Sequence, residues 1–384
     1  MGEIGNFSKG KGVPKDKIID NGYKCLTYGD IYTKYDIVMK NVKSFIDKKT
    51  AKDSQEIQKG NILFASSGET LEDIGKAIVY LDDDKGYAGG DIIIFQQSAP
   101  TDSLWLSYVL NSSTANSQKY RMGQGHSVVH IYSSQLEQLK IPFPPLPEQQ
   151  KIAKILSIWD VAIEKQTQLI TQLETRKRGL MQQLLSGEKR LKGFKGKWKS
   201  VKLGSIASFF SGGTPNTNIS EYFSGKIPFI KSGEIYKSYT EQYISQEALS
   251  NSSAKLVDKG DILYALYGAT SGECAISQIS GAINQAVLCI KTTENKKFIF
   301  SILQKNKHHY ISSYLQGGQG NLSMEIVKNY LIKLPTIKEQ TAISDILSTA
   351  DTEIYIAKKK LIRLKEQKNG LMQILLKGER RVKQ

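Results

Sequence analysis

The sequence is poor in the residues that build catalytic and metal centres. Its 384 residues hold three cysteines, four histidines, three tryptophans and nine prolines. Cys25, Cys274 and Cys289 are odd in number and widely spaced, which excludes a disulfide framework and suits free thiols in a reducing cytoplasm. No run approaches 18 consecutive apolar residues, so a membrane span is not expected. The opening "MGEIGNFSKGKG" lacks the apolar core of a signal peptide. Of the four histidines, His126 and His130 stand four apart in a stretch, "HSVVH", that reads as a strand. No acid or cysteine lies at zinc spacing, so a buried or hydrogen-bonded role is expected for them.

Enzyme signatures are equally scarce. The Asn/Asp-Pro-Pro-Tyr/Phe loop of an adenine methyltransferase is missing, and so are the G-x-x-x-x-G-K-[ST] phosphate loop and the G-x-S-x-G nucleophile turn. "EQK" at 366–368 matches the last triplet of a PD…ExK nuclease, but it falls on a predicted helix without an acidic partner on a strand. These absences predict a chain without catalytic residues, bound metal or cofactor.

Positive charge is abundant. Lysine and arginine outnumber aspartate and glutamate 53 to 37, for a formal net charge of +16. Such an excess attracts polyanions and points first to nucleic acid, then to an acidic protein or membrane surface. Lysine outweighs arginine 46 to 7, a ratio that biased coding also produces.

The chain is a duplication. "IPFPPLPEQQKIAKILSIWDVAIE" (141–164) aligns on "IKLPTIKEQTAISDILSTADTEIY" (332–355) without gaps, and "GLMQQLLSGEKRLK" (179–192) on "GLMQILLKGERRVK" (370–383), both at an offset of 191. Searching for such repeats first decides the architecture. The portions ahead of each copy are related more distantly: "QKGNILFASSGET" resembles "DKGDILYALYGAT", and "MGQGHS" resembles "GGQGNLS". By the same offset Met1 matches Leu203, so "FKGKWKSVK" (194–202) has no counterpart ahead of the first copy, and the first domain is expected to lack that opening strand.

Each repeated segment predicts a long helix. Pro147 precedes Glu148 in a helix-start arrangement, apolar residues follow at spacings of three and four, and Gly187 stands where a left-handed cap would end the helix. The stripe comprises Ile155, Leu156, Trp159, Ile163, Leu173, Leu180 and Leu184 in the first copy. In the second it comprises Ile346, Leu347, Ile354, Leu364, Leu371 and Leu375. Neither helix hides its stripe alone, which predicts that the two pack as a coiled coil; pseudo-twofold symmetry favours the antiparallel arrangement. The variable portions predict α+β domains: short apolar runs after Gly or Asp read as strands, and "SLWLSYVLNS" (103–112) and "FIFSILQKN" (298–306) as short helices at equivalent places. The expected division is 1–146, 147–190, 191–337 and 338–384, as domain, helix, domain, helix.

Phosphates are gripped by Lys, Arg, hydroxyls and backbone N–H groups, and base edges are read by Arg, Lys, Asn and Gln. In the first variable portion these types gather in loop-like stretches as Lys9, Lys11, Lys15, Tyr32, Lys34, Ser66, Ser67, Arg121, Gln124 and His126. In the second they are Thr214, Asn216, Lys231, Ser232, Tyr267, Thr270, Ser271, Gln319 and Asn321. Only Arg121 among the seven arginines lies in a variable portion. Arg176, Arg178, Arg190, Arg363, Arg380 and Arg381 all lie on or beyond the later part of the helices, a density that predicts contact with DNA or an acidic partner.

Two variable domains, each followed by a helix that opens "LPEQQKIA" or "TIKEQTAI" and closes "GLMQQLLSGEKRL" or "GLMQILLKGERRV", resemble the specificity subunit of type I restriction-modification systems. "GKGVPKDKIIDNGYKCLTYGDIYTKY" (10–35) and "SGGTPNTNISEYFSGKIPFIKSGEI" (211–235) are similar to two common openings of that family's target-recognition domains. The resemblance implies a non-catalytic cytoplasmic subunit of a bacterium or archaeon. Each target-recognition domain would read one half of a split asymmetric site in double-stranded DNA. The paired helices would fix the gap and dock two modification subunits, which methylate adenine with S-adenosylmethionine. Restriction subunits would add ATP- and Mg2+-dependent translocation and cleavage. The rival readings are a coiled-coil scaffold without enzymatic activity and a free-standing DNA-binding protein.

Overall fold

The computed structural model of the chain describes residues 1–125, 128–314 and 321–382. Its contacts divide the chain into two units, Met1–Thr167 with Lys359–Gln384, and Gln168–Lys358. Each is α+β. In the first, a five-stranded sheet runs in the order Gly5–Lys9, Ile92–Gln97, Ile62–Ala65, Ala77–Tyr80, Val38–Met39. Beside it, a four-stranded sheet runs Phe45–Ile46, Tyr23–Leu26, Gly86–Ala88, Gln55–Ile57. The second unit repeats the plan with Ala207–Ser211, Val287–Thr292, Ile262–Ala265, Cys274–Ile276, and with Tyr243–Ile244, Ile227–Ile230, Gly281–Ile283, Lys255–Val257.

The related "KGNIL" and "KGDIL" stretches explain why a strand begins at the same place in both units. Gly60 and Gly260 adopt φ of 97° and 94°, a left-handed conformation costly to any residue with a Cβ. The side chains of Asn61 and Asp261 then accept the N–H of Gln58 and Asp258 at 2.8 and 3.0 Å, which closes the turn. The strands that follow, "ILFA" and "ILYA", are buried at every position and lie inside their sheets, as continuous apolar runs do. All three cysteines are buried and free, and burial pushes their thiols up to about 12.

The helix Ser103–Leu110 matches its prediction closely, whereas its counterpart runs Lys296–Tyr314, well past the predicted 298–306. Phe298, Ile302 and Leu303 enter the core, and the polar "QKNKHHY" (304–310) that follows breaks the apolar period but still offers Tyr310 to it. The strand Lys199–Lys202 pairs antiparallel with Leu331–Leu334. Residues 140–143 hold the matching place in the first unit and pair with no strand among the described residues. Met1 nevertheless begins where its repeat does: its amine donates to the Leu139 carbonyl at 2.8 Å, as the Leu203 N–H donates to Tyr330 at 2.9 Å.

The long helices are Leu146–Leu184 and Ile337–Leu376. Gly187 and Gly378 follow with φ of 76° and 74°, the left-handed conformation expected just past a helix end. Within each unit, one helix's opening turns lie against the other's closing turns, so the pairing is antiparallel. The apolar stripe does more than join helix to helix. In the first unit Ile152, Leu156, Leu375 and Leu376 enter the domain core with Trp105 and Tyr108. In the second, Leu184, Leu185, Ile343 and Leu347 enter the core with Phe298 and Tyr264. Each "GLMQ-LL" run therefore seals the core of the unit built on the other repeat. Ile155 and Leu371 flank the first core, and Leu180 and Ile346 the second. Ile354 is buried, while Trp159, Ile163, Leu173 and Leu364 are half-buried along the helices.

Candidate nucleic-acid interface

Three predicted stretches of the first unit come together. Tyr32 lies on the short helix Tyr28–Thr33, whose first turn is fixed by buried Asp30: the carboxylate accepts the Thr27 N–H and hydroxyl, each at 2.9 Å. The Tyr32 hydroxyl donates to the Ser67 carbonyl at 3.1 Å and to that of Asp73 at 3.3 Å. Ser67 is buried, and its hydroxyl lies 3.0 Å from Nδ1 of His130. His130 in turn exchanges backbone hydrogen bonds with Gln124 at 2.8 and 2.9 Å. A cleft of about 490 Å³ opens at this junction, lined among others by Tyr28, Tyr32, Thr33, Ser67 and Thr70. Burial raises the Tyr32 hydroxyl pKa, so the tyrosine stays a donor at neutral pH.

Other candidates of the first unit have different settings. Lys9, Lys11 and Lys15 are exposed, and the strand bonds of Lys9 and Lys11 go to Ile93 and Ala88 rather than to the cleft. Lys34 is already engaged, paired to Asp30 at 2.7 Å and bonded to the Ser44 hydroxyl at 2.9 Å. Ser66 is half-buried, with its backbone tied to Asp91 and Ile131. Arg121 and Gln124 are exposed. His126 lies outside the described residues, as does Gln319 in the second unit.

In the second unit the loop 266–272 and Asn321 adjoin, because the Leu322 N–H donates to the Leu266 carbonyl at 2.8 Å. This repeats the Ile131-to-Ser66 bond of the first unit. Tyr267, Thr270 and Ser271 sit half-buried on that loop, with the Ser271 hydroxyl on the Leu266 carbonyl at 3.1 Å. Thr214 donates to the Gln285 side chain at 2.7 Å, and the Asn216 side chain caps its own turn at Asn218. Lys231 and Ser232 flank the buried Glu234, which takes the place of Asp30.

Repeated motifs whose role the sequence left open act at the helix starts. Glu148 accepts Arg381 through both guanidinium arms at 2.6–3.0 Å, and Glu339 accepts Arg190 likewise at 2.6 Å. Both residues of the second pair are those of the first shifted by 191. A second set repeats the rule: Lys368 pairs with Asp160, and Lys177 pairs with Asp351 at 2.5 Å. Asp160 also accepts the Tyr108 hydroxyl. The neighbouring Gln149 and Gln340, both fully buried, each tie helix to domain. Gln149 accepts the Asp102 N–H at 2.9 Å and donates to the Pro144 carbonyl at 2.8 Å. Gln340 accepts the Asn295 N–H and donates to the Pro335 carbonyl, each at 3.0 Å. The Arg381 guanidinium holds the Glu148 carboxyl below its usual range.

These pairs give three of the arginines a partner within the chain. Arg190 binds Glu339, Arg381 binds Glu148 and Arg176 binds Glu353, while the Arg381 and Arg176 side chains stay 68% and 52% exposed. Charge exchange tests the pairing. Glu148→Arg alone is expected to lower the thermal midpoint of the first unit, because it sets two cations together. Glu148→Arg with Arg381→Glu is expected to recover most of the loss. A double variant no better than the single one, in calorimetry at low salt, would count against a direct pair.

The remaining positive charge is unevenly placed. Residues 141–203 and 331–384 carry 25 Lys/Arg against 11 Asp/Glu, so +14 of the net +16 lies on the helices and the segments flanking them. The variable portions are nearly neutral.

Comparison with known proteins agrees with this architecture. The type I restriction modification DNA specificity domain matches the chain twice, at residues 1–175 and 195–366. The chain belongs to that family. Among relatives, the putative type I restriction enzyme MjaX specificity subunit of Methanocaldococcus jannaschii is 29% identical over 343 residues, covering 84% of this chain and 79% of its own. The EcoR124I/EcoR124II specificity subunit of Escherichia coli is 27% identical over 232 residues, 56% of each chain. The solved S subunit of a type I system from M. genitalium aligns over 98% of this chain and 94% of its own, with a TM-score of 0.62 and 18% identity. A chain from a structure describing assembly and conformational transition of a type I system aligns over 99% and 97%, with a TM-score of 0.64 and 14% identity. The tandem α+β plan with its two long helices is therefore the fold of this family, and the specificity role is a non-catalytic one. No helix among the described residues is long and apolar enough to cross a membrane.

Proposed function

We propose that this chain selects the DNA sequence for a type I restriction-modification complex, with each variable domain reading one half of a split, asymmetric duplex site. The observation that carries the reading is the doubled DNA specificity domain joined by helices whose ion pairs repeat at 191 residues. Two related but divergent readers on one scaffold suit a site with two unlike halves. The helices act as the ruler: 39 residues at 1.5 Å each give about 58 Å, on the order of one to two DNA turns. In this reading the divisions 1–146, 147–190, 191–337 and 338–384 are reader, ruler, reader, ruler.

The loops around Tyr32, Ser67 and Gln124 in one reader, and around Tyr267, Ser271 and Asn321 in the other, meet the DNA. Exposed cations of the helices meet phosphates or the docked modification subunits. Those two subunits supply adenine-N6 methylation with S-adenosylmethionine, restriction subunits supply ATP- and Mg2+-dependent translocation and cleavage, and the assembly works in the cytoplasm. Filter binding across a salt series tests the DNA-reading claim. With modification subunits added, affinity for duplex DNA is expected to fall steeply and linearly in log–log form as salt rises, as counterions are released from several phosphates. Salt-independent binding, or none, would refute it.

A further inference from the structure

The turn that both readers share is turned outward in only one of them. "YGDIYTKY" (28–35) aligns with "SGEIYKSY" (232–239), with Asp30 at Glu234, Tyr32 at Tyr236 and Tyr35 at Tyr239. In both, the acid is buried and holds the turn from inside. Glu234 accepts the Thr240 hydroxyl and the Glu241 N–H, each at 3.0 Å, and a third bond fixes the tip where Gln278 donates to the Tyr236 carbonyl at 2.7 Å. The tip is thus set in shape before anything binds. In the first reader the corresponding tyrosines are half-buried, and the Tyr32 hydroxyl is used internally. In the second, Tyr236 and Tyr239 are 58% and 59% exposed, and neither hydroxyl has a hydrogen-bond partner among the described residues. Half-buried Lys237 lies over the Tyr239 ring at 5.3 Å and pairs with the exposed Glu241 at 3.5 Å.

Leaving two aromatic rings mostly in water on a rigid tip adds little to the stability of the free protein beyond the contact of Lys237 with one ring. Large, pre-ordered, amphipathic side chains of this kind are what recognition surfaces present, because little entropy is lost when they are covered. We propose that the tip Tyr236–Lys237–Ser238–Tyr239 is a DNA contact of the second reader and helps determine its half of the site. The inference rests on the DNA-reading function proposed above. Duplex DNA is the occupant the chemistry favours. All four side chains are hydrogen-bond donors and none is a carboxylate, which suits phosphate oxygens and the acceptor edges of bases; the Lys237 ammonium, held by the exposed Glu241, would exchange that partner for a phosphate. The second variable portion contains no arginine, so its donors must come from residues of this kind.

The test uses the full chain assembled with its modification subunits and the site that the wild-type assembly methylates. Tyr236→Ala with Tyr239→Ala is expected to weaken binding and methylation of that site about tenfold or more. The thermal midpoint and the co-purifying modification subunits should stay unchanged. Lys237→Glu keeps both rings and is expected to weaken DNA binding by a similar factor. Methylation within twofold of wild type in both variants would overturn the proposal. Loss of the modification subunits with DNA affinity intact would also overturn it, by making the tip a protein contact. A wild-type assembly that methylates no split site would instead overturn the function proposed above, and this inference with it.

Discussion

Replacing residues 204–330 with the corresponding segment of another family member is expected to change one half of the recognised site completely and leave the other half as it was. The structural basis is the self-containment of each reader. The second unit's sheets, its helix Lys296–Tyr314 and its core are built within residues 168–358. What must be kept is the seam to the helices: Leu184, Leu185, Ile343 and Leu347 enter that core, and Gln340 holds the Asn295 N–H and the Pro335 carbonyl. The exchange lies outside all of these but Asn295, a position whose backbone N–H any replacement except proline supplies. Methylation by the hybrid assembly on a plasmid library reads the outcome. A hybrid in which both halves changed would show that the readers do not act independently.

Lys119→Met is expected to stabilise the first unit and to flatten its dependence on pH. Lys119 is buried on the helix Ser113–Met122; among the described residues its Nζ makes a single hydrogen bond, to the Gly75 carbonyl at 2.7 Å, and pairs with no carboxylate. Burial alone drives its pKa down to about 7. The unfolded chain holds that proton to about pH 10.4, so between about 7 and 10.4 unfolding takes up a proton. Stability therefore rises with pH across that window, by at most about 1.4 kcal/mol per pH unit, and is flat below it. Methionine removes the cation but leaves the Gly75 carbonyl unbonded, so the net gain at pH 7 is on the order of 1–3 kcal/mol. Urea denaturation at pH 7 and 9, followed through Trp105 with the other two tryptophans replaced by phenylalanine, measures it. A destabilised variant, or one that keeps the full pH slope, would contradict the account.

The architecture was largely legible because it is periodic. The offset of 191, the 3.6-residue apolar stripe and the glycines at 187 and 378 predict two long helices and their ends, and strands after "KGNI" and "KGDI" follow from turn chemistry. What covers the stripe was not legible. Periodicity tells that Leu184 and Leu375 are buried, but not that each closes a domain core. Glu148 and Gln149 recur at Glu339 and Gln340, so the sequence shows that they matter. The role of Glu148 depends on Arg381, 233 residues away along the chain, and that of Glu339 on Arg190, 149 residues away. The same distance hid the fate of the arginines: read locally they form basic tails, while three of them are neutralised across the helix pair. In the reader loops, local composition named Tyr32, Ser67 and Gln124 separately as candidates, and the fold brings their stretches side by side. Composition did not separate the engaged Lys34 from the exposed Tyr236, because exposure is a property of the fold.

Single-molecule mapping of methylated adenines in a genome where this chain and its modification subunits are active tests the central claim most directly. The account predicts one asymmetric motif made of two short, unlike specified halves separated by a fixed run of unspecified bases, methylated on both strands. A continuous motif, a motif with a variable gap, or no motif dependent on this chain would contradict it.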